Sequence, residues 1–251
     1  MKIVVCVKQV LDPRGMTVNR KAEKIFINRE EYLVDPASKA ALEAASSLKA
    51  DGVEVIAISV GTERVDDALR EAMARGADRA ILIRSDSSDG GVVANLIAAA
   101  IDKLDEVDLV LCGDRSLDTG AGELAARLAE ALDRPQVLGA AKIEMNGALK
   151  AIVDNAGREG FVEVEVPLPA VVSIVAEAFT GAHANGWRLM DAYKKWKVEV
   201  WSAADLGMSD ADLHPATTKK EDAFPPERQL GTSVRSAKEA LMMLRREKVI
   251  G

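Results

Sequence analysis

Val107-Asp108-Leu109-Val110-Leu111-Cys112-Gly113-Asp114-Arg115-Ser116-Leu117-Asp118-Thr119-Gly120-Ala121-Gly122-Glu123 carries an apolar, strand-like run directly into a polar loop with three glycines. Leu124-Ala125-Ala126-Arg127-Leu128-Ala129-Glu130-Ala131-Leu132 follows with helical spacing. A loop between a strand and a helix lies at the carboxyl end of the strand, where open α/β sheets bind ligands. Free backbone N–H groups and the positive helix end there suit an anion such as a phosphate. Taken alone, the stretch fits an ordinary strand-to-helix turn equally well. The rest of the chain has to decide.

Upstream, the same alternation repeats. Lys2 to Val10 is nearly continuous apolar sequence, as in a strand buried on both faces of a parallel sheet. Thr17 to Ile27 alternates and is polar, which fits a short hairpin. Asp35-Pro36 marks a helix start, and Ala37 to Lys49 has helical period. Val53 to Val60 is a strand closed by Gly61, and Glu63 to Arg75 a helix ended by Gly76. Ala80 to Arg84 is a strand, Gly90 to Leu104 a helix and Val107 to Leu111 a fourth strand. This rhythm predicts an α/β, doubly wound, mostly parallel sheet with right-handed crossovers.

After Pro135 the pattern changes. Val137 to Ile143, Ala148 to Asp154, Phe161 to Val166 and Ala170 to Val175 read as strands, and Asn146-Gly147 is a hairpin signal. Late antiparallel strands are expected. From about Ala176 core periodicity fades until a last helix, Val234 to Lys248. Long irregular segments are usually functional or partner-bound. The expected organisation is a nucleotide-binding α/β domain over 1–176 and a C-terminal arm over 177–251. Trp187, Leu189, Met190, Trp196, Trp201 and Phe224 favour docking of that arm on another subunit.

Composition narrows the function. The 251 residues are 48% hydrophobic, enough for a sizeable core, and the formal charge is −7. That sign argues against nucleic-acid binding by phosphate neutralisation. No stretch approaches the roughly 20 apolar residues of a membrane span, and the apolar run at Met1 to Val7 is too short for a signal-peptide core. Cys6 and Cys112 form neither a disulfide framework nor a metal pattern, so a reduced, cytoplasmic setting is expected. There is no Gly-x-Ser-x-Gly elbow, no P-loop and no Gly-x-Gly-x-x-Gly after the first strand. His183 and His214 are isolated. What remains is a nucleotide-sized crevice without a catalytic set, which favours a binder or carrier over a hydrolase.

Taken together, these segments resemble the beta subunit of electron transfer flavoproteins. The resemblance runs through Val4-Val5-Cys6-Val7-Lys8-Gln9-Val10 with Asp12, Asp35-Pro36, and Ala41-Leu42-Glu43-Ala44-Ala45. It continues through Ile58-Ser59-Val60-Gly61, Ala68 to Arg79, Asp108 to Gly113, Leu168-Pro169-Ala170-Val171-Val172 and Pro225-Pro226-Glu227-Arg228. It implies a Rossmann-like domain of the adenine nucleotide alpha hydrolase-like kind, with a C-terminal arm wrapped around an alpha subunit. It also implies a heterodimeric electron carrier, not an enzyme. Its FAD is shared with the alpha subunit, and the beta subunit holds AMP or, in bifurcating members, a second FAD. Electrons would come from a flavin dehydrogenase such as an acyl-CoA dehydrogenase and pass to a quinone-linked or other redox acceptor.

Carried onto this chain, the implied cofactor-binding residues are Val7, Lys8, Gln9, Asp35, Val60 and Gly61. Cys112, Gly113, Arg115, Asp118, Thr119, Gly120, Gly122 and Glu123 join them from the loop. No catalytic residue and no metal ligand is implied. The loop departs from the family wording Asp-Gly-Asp-Thr-x-Gln-x-Gly-Pro: threonine, glutamine and glycine-proline become Ala121, Glu123 and Ala125-Ala126. Ala121 donates nothing from its side chain and Glu123 is an acceptor. Thr119, Ser116, Arg115 and backbone N–H groups remain as donors. AMP, a second FAD and an empty pocket therefore stay open. In the arm, Leu189-Met190 and Lys194-Lys195 persist, while the family's leucine knob falls on glycine or tryptophan.

Two rivals share this architecture by fold analogy alone. A universal-stress-like nucleotide sensor would need a glycine motif where Asp133-Arg134-Pro135-Gln136 stands. An ATP-using, adenylating enzyme would need Ser-Gly-Gly-x-Asp where Lys8-Gln9-Val10-Leu11-Asp12 stands.

Overall fold

The computed structural model describes residues 1–145, 150–157, 160–179, 184–217, 223–226 and 231–250. The chain opens with β1 (Lys2–Cys6), β2 (Gln9–Leu11), β3 (Met16–Asn19), β4 (Lys24–Ile27) and β5 (Tyr32–Val34). Then come α1 (Pro36–Ser47), β6 (Glu54–Gly61), α2 (Asp66–Ala74), β7 (Arg79–Arg84), α3 (Gly90–Leu104), β8 (Leu109–Gly113) and α4 (Leu124–Ala131). The later elements are β9 (Gln136–Met145), β10 (Lys150–Gly157), β11 (Gly160–Pro167), β12 (Ala170–Ile174), α5 (Gly186–Lys194), β13 (Glu199–Trp201) and α6 (Ala237–Arg246).

Among the described residues, nine strands form one sheet in the order β11-β10-β9-β12-β8-β1-β6-β7-β13. The seven from β9 to β13 run parallel, and β10 and β11 extend one edge antiparallel. The predicted doubly wound, mostly parallel sheet is therefore present, with antiparallel members from the late segment. Side chains of β1 alternate between faces, as a strand's period of two requires. Ile3 and Val5 join the core under α1 and α2, while Val4 and Cys6 join the core under α3 and α4. Each large aliphatic side chain fully buried here contributes about 1.5–3 kcal/mol. Alanines on the inner side of α1 (Ala40, Ala41, Ala44, Ala45) let that helix lie close to the sheet.

Topology places the site. From β1 the chain winds outward through β6 and β7, then returns to lay β8 on the other side of β1. Chains leaving β1 and β8 therefore diverge, opening a crevice at their carboxyl ends.

Two expectations are corrected. The continuous strand predicted for Lys2 to Val10 breaks after Cys6. Val7 still donates to Ile58 O (2.8 Å), but the chain then turns, and β2 pairs antiparallel with β5. The segment Ala170 to Val175 does not join the antiparallel group. It inserts between β8 and β9, parallel to both. Contacts separate Met1–Thr17 with Ile25–Thr218 from Val18–Lys24 with Lys219–Gly251. The first part of the arm belongs to the sheet domain because β13 pairs with β7. Arg79 holds that edge, donating to Glu199 at 2.8 and 2.9 Å. Arg188 Nη2 and Nε donate to Met73 O (3.0 Å) and Ala74 O (3.2 Å), tying α5 to the end of α2. The Asn146-Gly147 signal lies outside the described residues.

In the second unit, α6 starts on Ser236, whose hydroxyl accepts from Glu239 N, while the Glu239 carboxylate accepts from Arg235 N. Leu241, Met242 and Leu244 of this helix are exposed.

Candidate functional site

At the divergence of β1 and β8 lies a cavity of about 370 Å³. Cys6, Val60, Val93, Ile97 and Leu124 give it apolar surface, and residues from the ends of β1 and β8 and the starts of α1, α3 and α4 form its polar rim.

Lys8 is fixed at both ends. Its backbone N–H donates to Ser38 Oγ (3.0 Å), and its carbonyl accepts from Asp35 N (2.9 Å). Its ammonium donates to Asp118 Oδ1 (2.7 Å) and Ser116 Oγ (3.3 Å). Asp35 caps α1: Oδ2 accepts from Ala37 N (3.2 Å) and Oδ1 from Leu117 N (2.8 Å). Burial pushes its carboxyl above the ordinary range, although the two backbone donors oppose that shift. Asp118 shifts the other way. Burial raises it, but hydrogen bonds from Lys8 and Ser116 outweigh that and hold it below the ordinary value.

The loop between β8 and α4 is shaped from within. Ser116 and Thr119 hydroxyls are 2.8 Å apart, Thr119 N donates to Asp118 Oδ1 (2.8 Å), and Gly120 N donates to Ser116 O (2.9 Å). Gly120 (φ 62°) and Gly122 (φ 64°) take left-handed conformations that favour glycine. Gly113 is needed for another reason. A Cβ there would lie 2.5 Å from Ala37 Cβ, so α1 starts directly against the end of β8.

Of the expected cofactor-binding residues, Val7, Lys8, Asp35, Val60, Gly113, Arg115, Asp118, Thr119, Gly122 and Glu123 line this cavity. Gln9, Gly61, Cys112 and Gly120 are not among its walls. Gln9 donates to Arg64 O (3.1 Å), and Gly61 accepts from Ser85 N (3.1 Å). Cys112 is fully buried, and the neighbouring Cys6 thiol, together with burial, pushes its own thiol up. Both cysteines are free.

The cavity also draws on residues the sequence reading did not single out as site residues: Ser38, Ser87, Ser88, Gly90 and Asp114. The run Ser87-Ser88-Asp89-Gly90-Gly91 after β7 carried the available signal, a second small, polar strand-to-helix loop. Asp89 caps α3, accepting from Gly91 N (2.8 Å) and Val92 N (3.1 Å). Asp114 Oδ2 pairs with Arg115 Nε (3.2 Å), while its buried Oδ1 has no partner among the described residues. Glu123 Oε2 pairs with Arg127 (2.9 Å). Among the described residues no cluster of His, Cys, Asp and Glu is arranged to hold a metal ion, and no helix is long and apolar enough to cross a membrane.

A family profile described as the electron transfer flavoprotein domain matches residues 24–206. The caffeyl-CoA reductase-Etf complex subunit CarD of Acetobacterium woodii is 31% identical over 264 residues, covering 100% of both chains. The electron transfer flavoprotein subunit beta of Clostridium acetobutylicum is 32% identical, over 85% of this chain and 83% of its own. That of Thermoanaerobacterium thermosaccharolyticum is 30% identical over the same shares. With the doubly wound sheet and its switch-point cavity, these matches establish that the chain belongs to the electron transfer flavoprotein family and aligns there with beta subunits.

Proposed function

We propose that this chain is the beta subunit of a heterodimeric electron carrier and that its switch-point cavity holds an adenine nucleotide. The observation that carries the reading is the cavity itself, walled by the ends of β1 and β8 and by the loop into α4. Its volume lies within the range of small-ligand sites. Its apolar side at Val60, Val93, Ile97 and Leu124 suits a base. Lys8, Ser116, Thr119 and Arg115 supply donors on the rim, while Asp35 and Asp118 hold Lys8 and the loop in place. The residues present therefore fit the adenosine part of AMP or of a second FAD.

A further FAD is shared with an alpha subunit, and flavin, when bound, supplies the redox chemistry. The side chains here bind and orient; none serves as acid, base or nucleophile. The arm over 177–251 docks on the alpha subunit and partner proteins. Exposed Trp187, Met190 and Tyr193 on α5 support that role. The donor is a flavin dehydrogenase such as an acyl-CoA dehydrogenase; that the Acetobacterium relative is a subunit of a caffeyl-CoA reductase complex supports partnering with an enzyme that works on CoA esters. The acceptor is quinone-linked or another redox protein. The buried, free cysteines suit a cytoplasmic setting.

The test is to denature the purified heterodimer and identify the nucleotides it releases. AMP with FAD, or two FAD per dimer, supports the reading. FAD alone, with no second adenine nucleotide, removes the assignment of the cavity.

A further inference from the structure

Three helices begin at the cavity, and they differ in how their first N–H groups are satisfied. At α1 the Asp35 carboxylate accepts from Ala37 N, and at α3 the Asp89 carboxylate accepts from Gly91 N and Val92 N. At α4 no side chain among the described residues caps the helix. Ala121, Gly122, Glu123 and Leu124, which lead into α4, all line the cavity. The open donors of α4 are thus its place for an anionic group.

Glu123 stands at that place. A Cβ on Gly90 would lie only 2.0 Å from Glu123 Oε1, so the carboxylate rests against the first residue of α3. Its other oxygen is held by Arg127 Nε (3.0 Å) and Nη2 (2.9 Å). The side chain is therefore tethered at the cavity wall between the starts of α3 and α4. It also engages the nearby arginine that could otherwise serve an incoming anion.

We infer that Glu123 sets the charge selectivity of this site: the cavity accepts an adenine nucleoside and discriminates against a terminal phosphate. This rests on the adenine-nucleotide reading given above. Like charges a few ångströms apart repel even in a solvated site, and for a phosphate monoester dianion, with Arg127 offsetting part of the carboxylate's charge, the expected loss in affinity is about tenfold. Replacing the carboxylate by the isosteric amide removes the repulsion, adds a donor and frees Arg127.

The experiment is calorimetric titration of the full chain with adenosine and with AMP, for wild type and Glu123→Gln. The wild-type chain should bind adenosine about tenfold more tightly than AMP. Glu123→Gln should tighten AMP about tenfold and leave adenosine within about twofold. The wild type carries a second readout: added salt should strengthen its AMP binding by screening the repulsion. AMP binding as tight as adenosine in wild type, AMP affinity unmoved by Glu123→Gln, or salt weakening AMP binding to wild type would each overturn the inference. If neither protein binds either ligand, the adenine-nucleotide reading itself fails. Adenosine binding without the predicted AMP response removes the Glu123 inference alone.

Discussion

The Asp35 carboxylate accepts a hydrogen bond from the Leu117 backbone N–H at 2.8 Å, across 82 residues of sequence. One side chain thereby caps α1 and holds the loop that leads into α4. Removing it leaves two backbone donors without partners, Ala37 N in a buried and Leu117 N in a partly buried setting. Asp35→Ala should therefore cost about 1–3 kcal/mol of stability. Urea unfolding gives the loss, and hydrogen exchange at the Leu117 amide should speed up more than exchange in β1. Unchanged exchange at Leu117 would show that the bond does not hold the loop.

Asp35 and Asp118 should make opposite contributions to the pH dependence of stability. Burial raises Asp35 in the folded state, so the folded chain binds its proton at a pH where the unfolded chain has released it. Its contribution is fully present below the unfolded value and falls as pH rises through the folded one. Asp118 is raised by burial but lowered further by Lys8 and Ser116, so its contribution is present above the unfolded value and falls with acidification through the folded one. Unfolding free energies of wild type, Asp35→Asn and Asp118→Asn across the carboxylate range check both signs. Relative to its Asn variant, wild type should lose ground with rising pH at position 35 and gain it at position 118. Slopes of the same sign would contradict the geometry.

Gly113→Ala tests how closely α1 meets the sheet. The added Cβ would lie 2.5 Å from Ala37 Cβ and 2.9 Å from its carbonyl carbon, so the first turn of α1 must shift. A destabilisation of about 1–3 kcal/mol is expected, with a lower melting temperature and weakened nucleotide retention. A variant as stable as wild type would mean that α1 yields freely.

Arg188→Ala should loosen α5 from the sheet domain. Its guanidinium caps the carbonyls of Met73 and Ala74 and lies over the Trp196 ring at 5.2 Å. The expected loss is about 1–2 kcal/mol. It should be accompanied by faster hydrogen exchange in α5 and little change in β1. Equal loosening of both would argue for a global effect.

Much of this architecture was legible in the strand–loop–helix succession from Lys2 to Leu132, because parallel strands buried on both faces leave continuous apolar runs. The break after Cys6 was not legible. Val7 to Val10 reads as more strand, and only Ser38 Oγ and Asp35 N, which bond the Lys8 backbone from α1, show why the chain turns. The placement of β13 was hidden for a similar reason. Three residues carry little periodicity, and Glu199 gains its place through Arg79, 120 residues away. At the site, the loop from Gly113 to Glu123 announced itself by its glycines and its position. Asp114 did not, since its buried oxygen is a property of how the loop folds back. Gln9, Gly61, Cys112 and Gly120 show the converse: adjacency in sequence does not put a residue on the wall of a cavity.

As a beta subunit, this chain works as half of a flavin-carrying pair. Co-expression with an electron transfer flavoprotein alpha subunit, followed by size-exclusion chromatography with visible absorption, tests it most directly. A stable one-to-one complex whose peak carries a flavin spectrum is expected. A colourless chain that elutes alone beside a fully flavin-loaded alpha subunit would contradict it.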